Sequence, residues 1–106
     1  MATIATPTVV GALVGSSASQ AVIAANLTRQ GIYVFNASAV TIWVCPATKQ
    51  DGTAQAAAVS GAGSISIATQ TGVMLGPGNM PHFTAGLNAI AASGSNNPLS
   101  LWEFNQ

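Results

Sequence analysis

Turn-forming residues recur so often along this chain that no apolar run between them is long enough for a stable isolated helix. The breaks are Gly15-Ser16-Ser17-Ala18-Ser19-Gln20, Asn36-Ala37-Ser38, Pro46, Gly76-Pro77-Gly78 and Ser93-Gly94-Ser95-Asn96-Asn97-Pro98. Short runs with regular punctuation predict strands, and several of them predict a sandwich or barrel. The clearest run is Gly31 to Asn36, where Ile32, Tyr33, Val34 and Phe35 are β-branched or aromatic. Residues 40–44 follow, with Val40, Ile42 and Val44 on one face and Thr41 and Trp43 on the other. A three-residue turn between these runs predicts a β-hairpin. Pro46 ends the second run because it has no N–H for a ladder.

Further strands are expected at residues 20–25, 64–68, 73–75, 82–84 and 88–92. In the last run, Leu99, Leu101 and Glu103 oppose Ser100, Trp102 and Phe104, and a final hairpin with residues 88–92 is expected. Alanine favours a helix at residues 54–59 and 87–92, but the second segment has turn-like flanks. Residues 47–61 read as a polar, Ala-rich loop, and residues 1–14 as an N-terminal arm or edge strand. The expected fold is all-β: a small antiparallel β-sandwich, jelly-roll-like, with an extended arm (residues 1–14) and one domain (residues 15–106). The aromatic residues are expected to anchor the core or an interface.

Charge sets the second constraint. Arg29, Lys49, Asp51 and Glu103 are the only fully charged side chains. An ordinary domain has roughly a quarter of its residues charged. A chain of this size exposes about 5,400 Å² when folded, so that surface must be covered by small neutral residues. A neutral body so poor in ions tends to associate, which predicts a protein packed against neighbours. Two basic residues cannot line a phosphate backbone or a polybasic membrane patch. The start, Met1-Ala2-Thr3-Ile4-Ala5, lacks a signal peptide's basic region. The most apolar stretch, residues 9–25, is broken and falls short of the ~20 residues of a membrane span. A lone cysteine, Cys45, gives no internal disulfide and suits folding in a reducing cytoplasm.

Catalytic chemistry has little to work with. His82 is the one histidine, Asp51 and Glu103 are the only carboxylate side chains, and Cys45 has no nucleophile signature around it. These four show no metal-ligand spacing. Gly76-Pro77-Gly78 lacks the following Lys and helix of a phosphate loop. Asn26-Leu27-Thr28 and Asn36-Ala37-Ser38 are glycosylation-like triplets that matter only in a secreted chain. No enzyme activity, metal or cofactor is expected. Arg29 precedes the strongest strand and, if buried, must pair. Glu103 is the expected partner and Asp51 the second choice, tying the first hairpin to the last strand or one subunit to the next.

The run from Asn26 to Ser38 (NLTRQGIYVFNAS), followed by Ile42-Trp43-Val44, resembles a pattern of small tailed-phage virion proteins, "N-x-x-R-x-G-(I/L)-x-(I/V)-x-N-x-S" and then "(L/I)-(Y/W)-V". Val73-Met74-Leu75-Gly76-Pro77-Gly78 resembles their "V-x-L-x-P-G" turn. The stretch Ala89-Ile90-Ala91-Ala92-Ser93-Gly94-Ser95, with Leu99-Ser100-Leu101-Trp102-Glu103, resembles their last hairpin and acidic strand. The chain differs from that pattern in its extended N-terminal stretch and the insertion at residues 47–61. The resemblance implies a capsid decoration (cement) protein or a head-fibre base, without catalytic residues. It implies a place on the capsid surface of the virion, after synthesis in the host cytoplasm. The expected partners are the major capsid protein and copies of itself, as a homodimer or homotrimer, and the arm would add a strand to a neighbour. Arg29, Glu103, Trp43, Trp102 and Tyr33 are the expected interface or structural residues. The alternative is a receptor- or glycan-binding module of a head fibre or tail, with Trp43, Trp102 and Tyr33 as one exposed aromatic platform.

Overall fold

The computed structural model describes residues 7–49, 51–76, 78 and 84–105. The short apolar runs become strands: β1 (Thr8–Val14), β2 (Gln20–Ile23), β3 (Arg29–Asn36), β4 (Ile42–Pro46), β5 (Ile65–Ile67), β6 (Gly72–Leu75), β7 (Leu87–Ala91) and β8 (Asn97–Asn105). No described residue is helical. The Ala-rich residues 54–59 stay irregular, with Ala54 bridged to Thr48. His82 and Phe83, expected to begin a short strand, lie outside the described residues.

The strands form two four-stranded antiparallel sheets, β1-β8-β3-β6 and β2-β7-β4-β5. Pairing is nested: β4 with β5 is innermost, then β3 with β6, β2 with β7, and β1 with β8. Between them the sheets bury an aliphatic core of Val14, Val22, Ile32, Val34, Ile42, Val44, Ile67, Leu75, Leu87, Ala89, Ala91, Leu99 and Leu101. Facing sheets lie about 10 Å apart, and medium aliphatic side chains fill that gap. The aromatics alternate with these residues along β3, β4 and β8, so they point outward. None of Tyr33, Phe35, Trp43, Trp102 or Phe104 belongs to the core, which corrects the expectation that aromatics anchor it.

Two expected hairpins are also corrected. β3 and β4 do not pair, and neither do β7 and β8. Each of these connections arches from one sheet to the other. Asn36 directs the first arch from inside, as described below. The second passes through Gly94 (φ 76°) and Asn96 (φ 57°), left-handed positions that glycine and asparagine tolerate.

Of the two readings of the N-terminal stretch, residues 8–14 take the second. They form the edge strand of their own sheet, paired with β8 from Thr8↔Glu103 to Val14↔Asn97. Val14 is fully buried, so this segment is part of the sandwich and not an arm. Residues 1–6 lie outside the described residues.

Candidate interaction surface

Two of the four charged side chains are spent inside the fold. Arg29 Nε donates to Glu103 Oε2 at 2.7 Å, and its Nη2 lies 2.6 Å from the same oxygen. Nη1 donates to Ala85 O at 2.5 Å and Nη2 to Ala24 O at 2.7 Å. Arg29 is 2% and Glu103 8% exposed. The guanidinium thus joins β8 to the segment after β2 and the segment before β7, which closes one end of the sandwich across both sheets. A β-bulge makes this possible. Arg29 faces Asn105 and Gly31 faces Phe104, so β3 carries one extra residue here. Without it, Arg29 would share the outward side of Gly31 and Tyr33. The expected pair therefore forms, within one chain, and Asp51 is elsewhere.

Asparagine frames β3 at both ends. Asn26 Oδ1 accepts from Thr28 N at 3.0 Å and Thr28 Oγ1 at 2.8 Å, while Nδ2 donates to Asn105 Oδ1 at 2.7 Å. Asn36 Oδ1 accepts from Ser38 N at 2.9 Å and Ser38 Oγ at 2.6 Å. Its Nδ2 donates to Val40 O and Ile67 O, each at 2.8 Å. Asp51 repeats the motif with Thr53 N at 3.0 Å and Thr53 Oγ1 at 2.7 Å. These hydroxyl contacts hold the Asp51 carboxyl below its ordinary range. All three are Asx turns, and the triplets that resemble glycosylation sites are turn formers. Asn36 is fully buried, with its amide saturated.

The remaining two ions, Lys49 and Asp51, are exposed in the loop after β4. That loop lies over the outer side of the β2-β7-β4-β5 sheet. Asn88 Nδ2 and Cys45 Sγ reach Gln55 O at 2.7 and 4.0 Å, and Ala57 N donates to Ser19 Oγ at 2.9 Å. Cys45 is sealed beneath it, and burial pushes its thiol up from the ordinary value. Its folded value is raised, so the stabilising contribution is complete below the unfolded value and fades as pH rises through the folded one. Native protein is expected to resist thiol alkylation at pH 8, whereas urea-unfolded protein reacts at once. Comparable rates in the two states would contradict the sealed position.

The outer side of the β1-β8-β3-β6 sheet has no charged side chain, since Arg29 and Glu103 face inward. One cross-strand row runs Val9↔Trp102↔Tyr33↔Met74. Val9 is 59%, Met74 48% and Trp102 42% exposed. Beside it run Gly11, Ser100, Phe35 and Gly72, where a Cβ on Gly72 would strike the Tyr33 ring. Trp43 is not part of this surface. It sits between Ser66 and Ile90 on the other sheet, on the strand face away from the core. Trp43, Trp102 and Tyr33 therefore cannot form one platform, and only Tyr33 and Trp102 meet. Val9 and Met74 complete the row and were not singled out in the sequence, because register is not encoded locally.

Among the described residues, no three His, Cys, Asp or Glu side chains cluster as metal ligands. No described helix is long and apolar enough to cross a membrane. Comparison with models of known families, with curated proteins and with solved structures returns no match for this chain.

Proposed function

We propose that this protein is a non-enzymatic structural component of a phage virion that decorates the capsid surface and stiffens it through subunit contacts. The observation that carries this reading is the uncharged outer side of the β1-β8-β3-β6 sheet, with its row of exposed Val9, Trp102 and Met74 around half-buried Tyr33. Apolar and aromatic surface of this kind gains free energy when a partner covers it. The two solvated ions lie together in the loop on the far sheet, so the row faces a partner without stranding a charge. Nested pairing of all eight strands supports reading the sandwich as jelly-roll-like. The sequence resemblance supplies the phage context. Capsid protein and further copies of this chain are the partners, and binding only the assembled shell stabilises that shell by linkage.

The glycan-binding alternative fits less well. Tyr33 and Trp102 are flanked by Val9, Met74, Gly11 and Gly72, with Ser100 the one polar side chain in the adjacent row. A sugar site needs several directed polar groups around its aromatic pair.

Particles of the encoding phage, purified and analysed by mass spectrometry, are expected to contain the chain in many copies. Trp102→Lys is expected to lower its occupancy about ten-fold or more, as loss of a central aromatic anchor does. Particles without the chain, or full occupancy by the variant, would refute the assignment.

A further inference from the structure

A sandwich of two open sheets has four exposed strand edges, each a template for another chain unless blunted. Three are blunted here. β5 has three residues and β6 four, while β2 has four and a register shift. β1 is different: seven uncharged residues, Thr-Val-Val-Gly-Ala-Leu-Val, paired with β8 without any shift.

The hydrogen-bond phase identifies the groups on that edge. Asn36 N donates to Thr71 O, and Gln70 N donates to Asn36 O, both at 2.8 Å on the β6 side. Even-numbered residues of β3 thus bond toward β6 and odd-numbered ones toward β8. It follows from the registers that β8 bonds β3 through Ser100 and Trp102, and β1 through Leu99 and Leu101. In β1, Val10, Ala12 and Val14 bond inward, while the N–H and C=O of Val9, Gly11 and Leu13 face the open edge. Gln20 agrees with this phase. Its Nε2 donates to Leu13 O at 2.8 Å and its Oε1 accepts from Gly15 N at 3.0 Å. The Gln20 amide stands where a neighbouring peptide unit would and closes one end of the edge. Among the described residues, nothing bonds Val9 or Gly11 on that side.

The geometry points to a second copy of this chain as the occupant, paired antiparallel along β1 about a two-fold axis through Val10. This register sets Val9 opposite Gly11 of the other copy, where each pair exchanges both N–H···O bonds. Pro7 falls opposite Leu13. Proline has no N–H, and Leu13 O, the acceptor such a donor would seek, is already held by Gln20. Leu13 N–H is left to meet Pro7 O. An axis through Gly11 would instead aim Val9 N–H at the occupied Leu13 oxygen. Side chains fit the same register. Nothing lies within 4 Å of a Cβ position on Gly11, which leaves room for the exposed Val9 of the other copy. With no charge between Pro7 and Gly15, the symmetric contact brings no like charges together. The two sheets become one, and the Val9–Met74 row of each copy continues into the Gly11–Gly72 row of the other. This pairing does not rest on the capsid assignment: it is tested on purified protein, whereas that assignment is tested on particles.

Sedimentation equilibrium of the purified chain is expected to show a monomer–dimer equilibrium. Gly11→Pro removes an outward N–H and spares the ladder to β8. It is expected to weaken dimerisation about ten-fold or more, with circular dichroism and melting near wild type. Amide exchange of the unmodified protein provides the second readout and needs no variant. Val9, Gly11 and Leu13 amides are expected to be protected at high concentration and to exchange rapidly on dilution. A chain that remains monomeric at every concentration overturns the proposal. So does a dimer whose Val9 and Gly11 amides exchange freely, since that dimer uses another surface such as the Trp102 row.

Discussion

Arg29→Ala is expected to destabilise the isolated chain by about 3–5 kcal/mol, because it leaves the Glu103 carboxylate buried without its counter-ion. For a domain of this size that lowers the melting temperature by roughly 15–30 °C and removes a large part of the ~5–15 kcal/mol that holds an ordinary fold together. Arg29→Lys is expected to fall between wild type and Ala, because an ammonium keeps the charge but cannot serve Glu103, Ala24 and Ala85 with a planar fork. Arg29→Met combined with Glu103→Leu is expected to recover much of the loss, since no buried charge is stranded. A deficit of about 1–3 kcal/mol remains from the two carbonyls that lose their donor. Thermal melts of the four proteins measure all of this. Wild-type melting in Arg29→Ala would show that the pair contributes nothing.

Asn36→Ala is expected to cost about 3 kcal/mol, since Ile67 O loses the amide donor, Val40 O keeps only the Ser38 hydroxyl and Ser38 N loses its acceptor in a fully buried turn. Asn36→Asp is the sharper test. The carboxylate retains the contact with Ser38 but aims its negative charge at two carbonyls inside the core. Its folded pKa is raised above the unfolded value of about 3.9. Stability is then greatest below that unfolded value and is lost as pH rises through the folded one. Asn36→Asp is therefore expected to melt higher at pH 5 than at pH 7. A flat profile, or one falling toward acid, would mean that the side chain at position 36 is solvated.

The strands themselves were legible because each buried face needs every second residue apolar, and β3, β4, β5 and β8 obey that period. The partner of each strand was not legible. Asn36-Ala37-Ser38 has the composition of a tight hairpin turn, and only the burial of the Asn36 amide against Ile67 shows the chain leaving one sheet for the other. The alternative of one platform holding Trp43 and Trp102 fails for the same reason, because sheet membership depends on contacts far apart in sequence. The Arg29–Glu103 pair could be anticipated through scarcity: a buried arginine had two possible carboxylate partners. The bulge that turns Arg29 inward left one trace, Gly31 within a strand of large residues, and glycine in that setting often marks a bulge.

The place of β8 has a consequence for how the chain matures. It lies between β1 and β3, so the first and third strands to be synthesised have no direct contact in their sheet and wait for the eighth to join them. Every closing contact spans a long sequence separation, the condition under which β proteins fold slowly. A nascent chain on the ribosome therefore carries an unfinished sheet until residues 97–105 emerge. Through that interval the seven-residue, ion-free β1 segment is open to adhesion with other nascent chains.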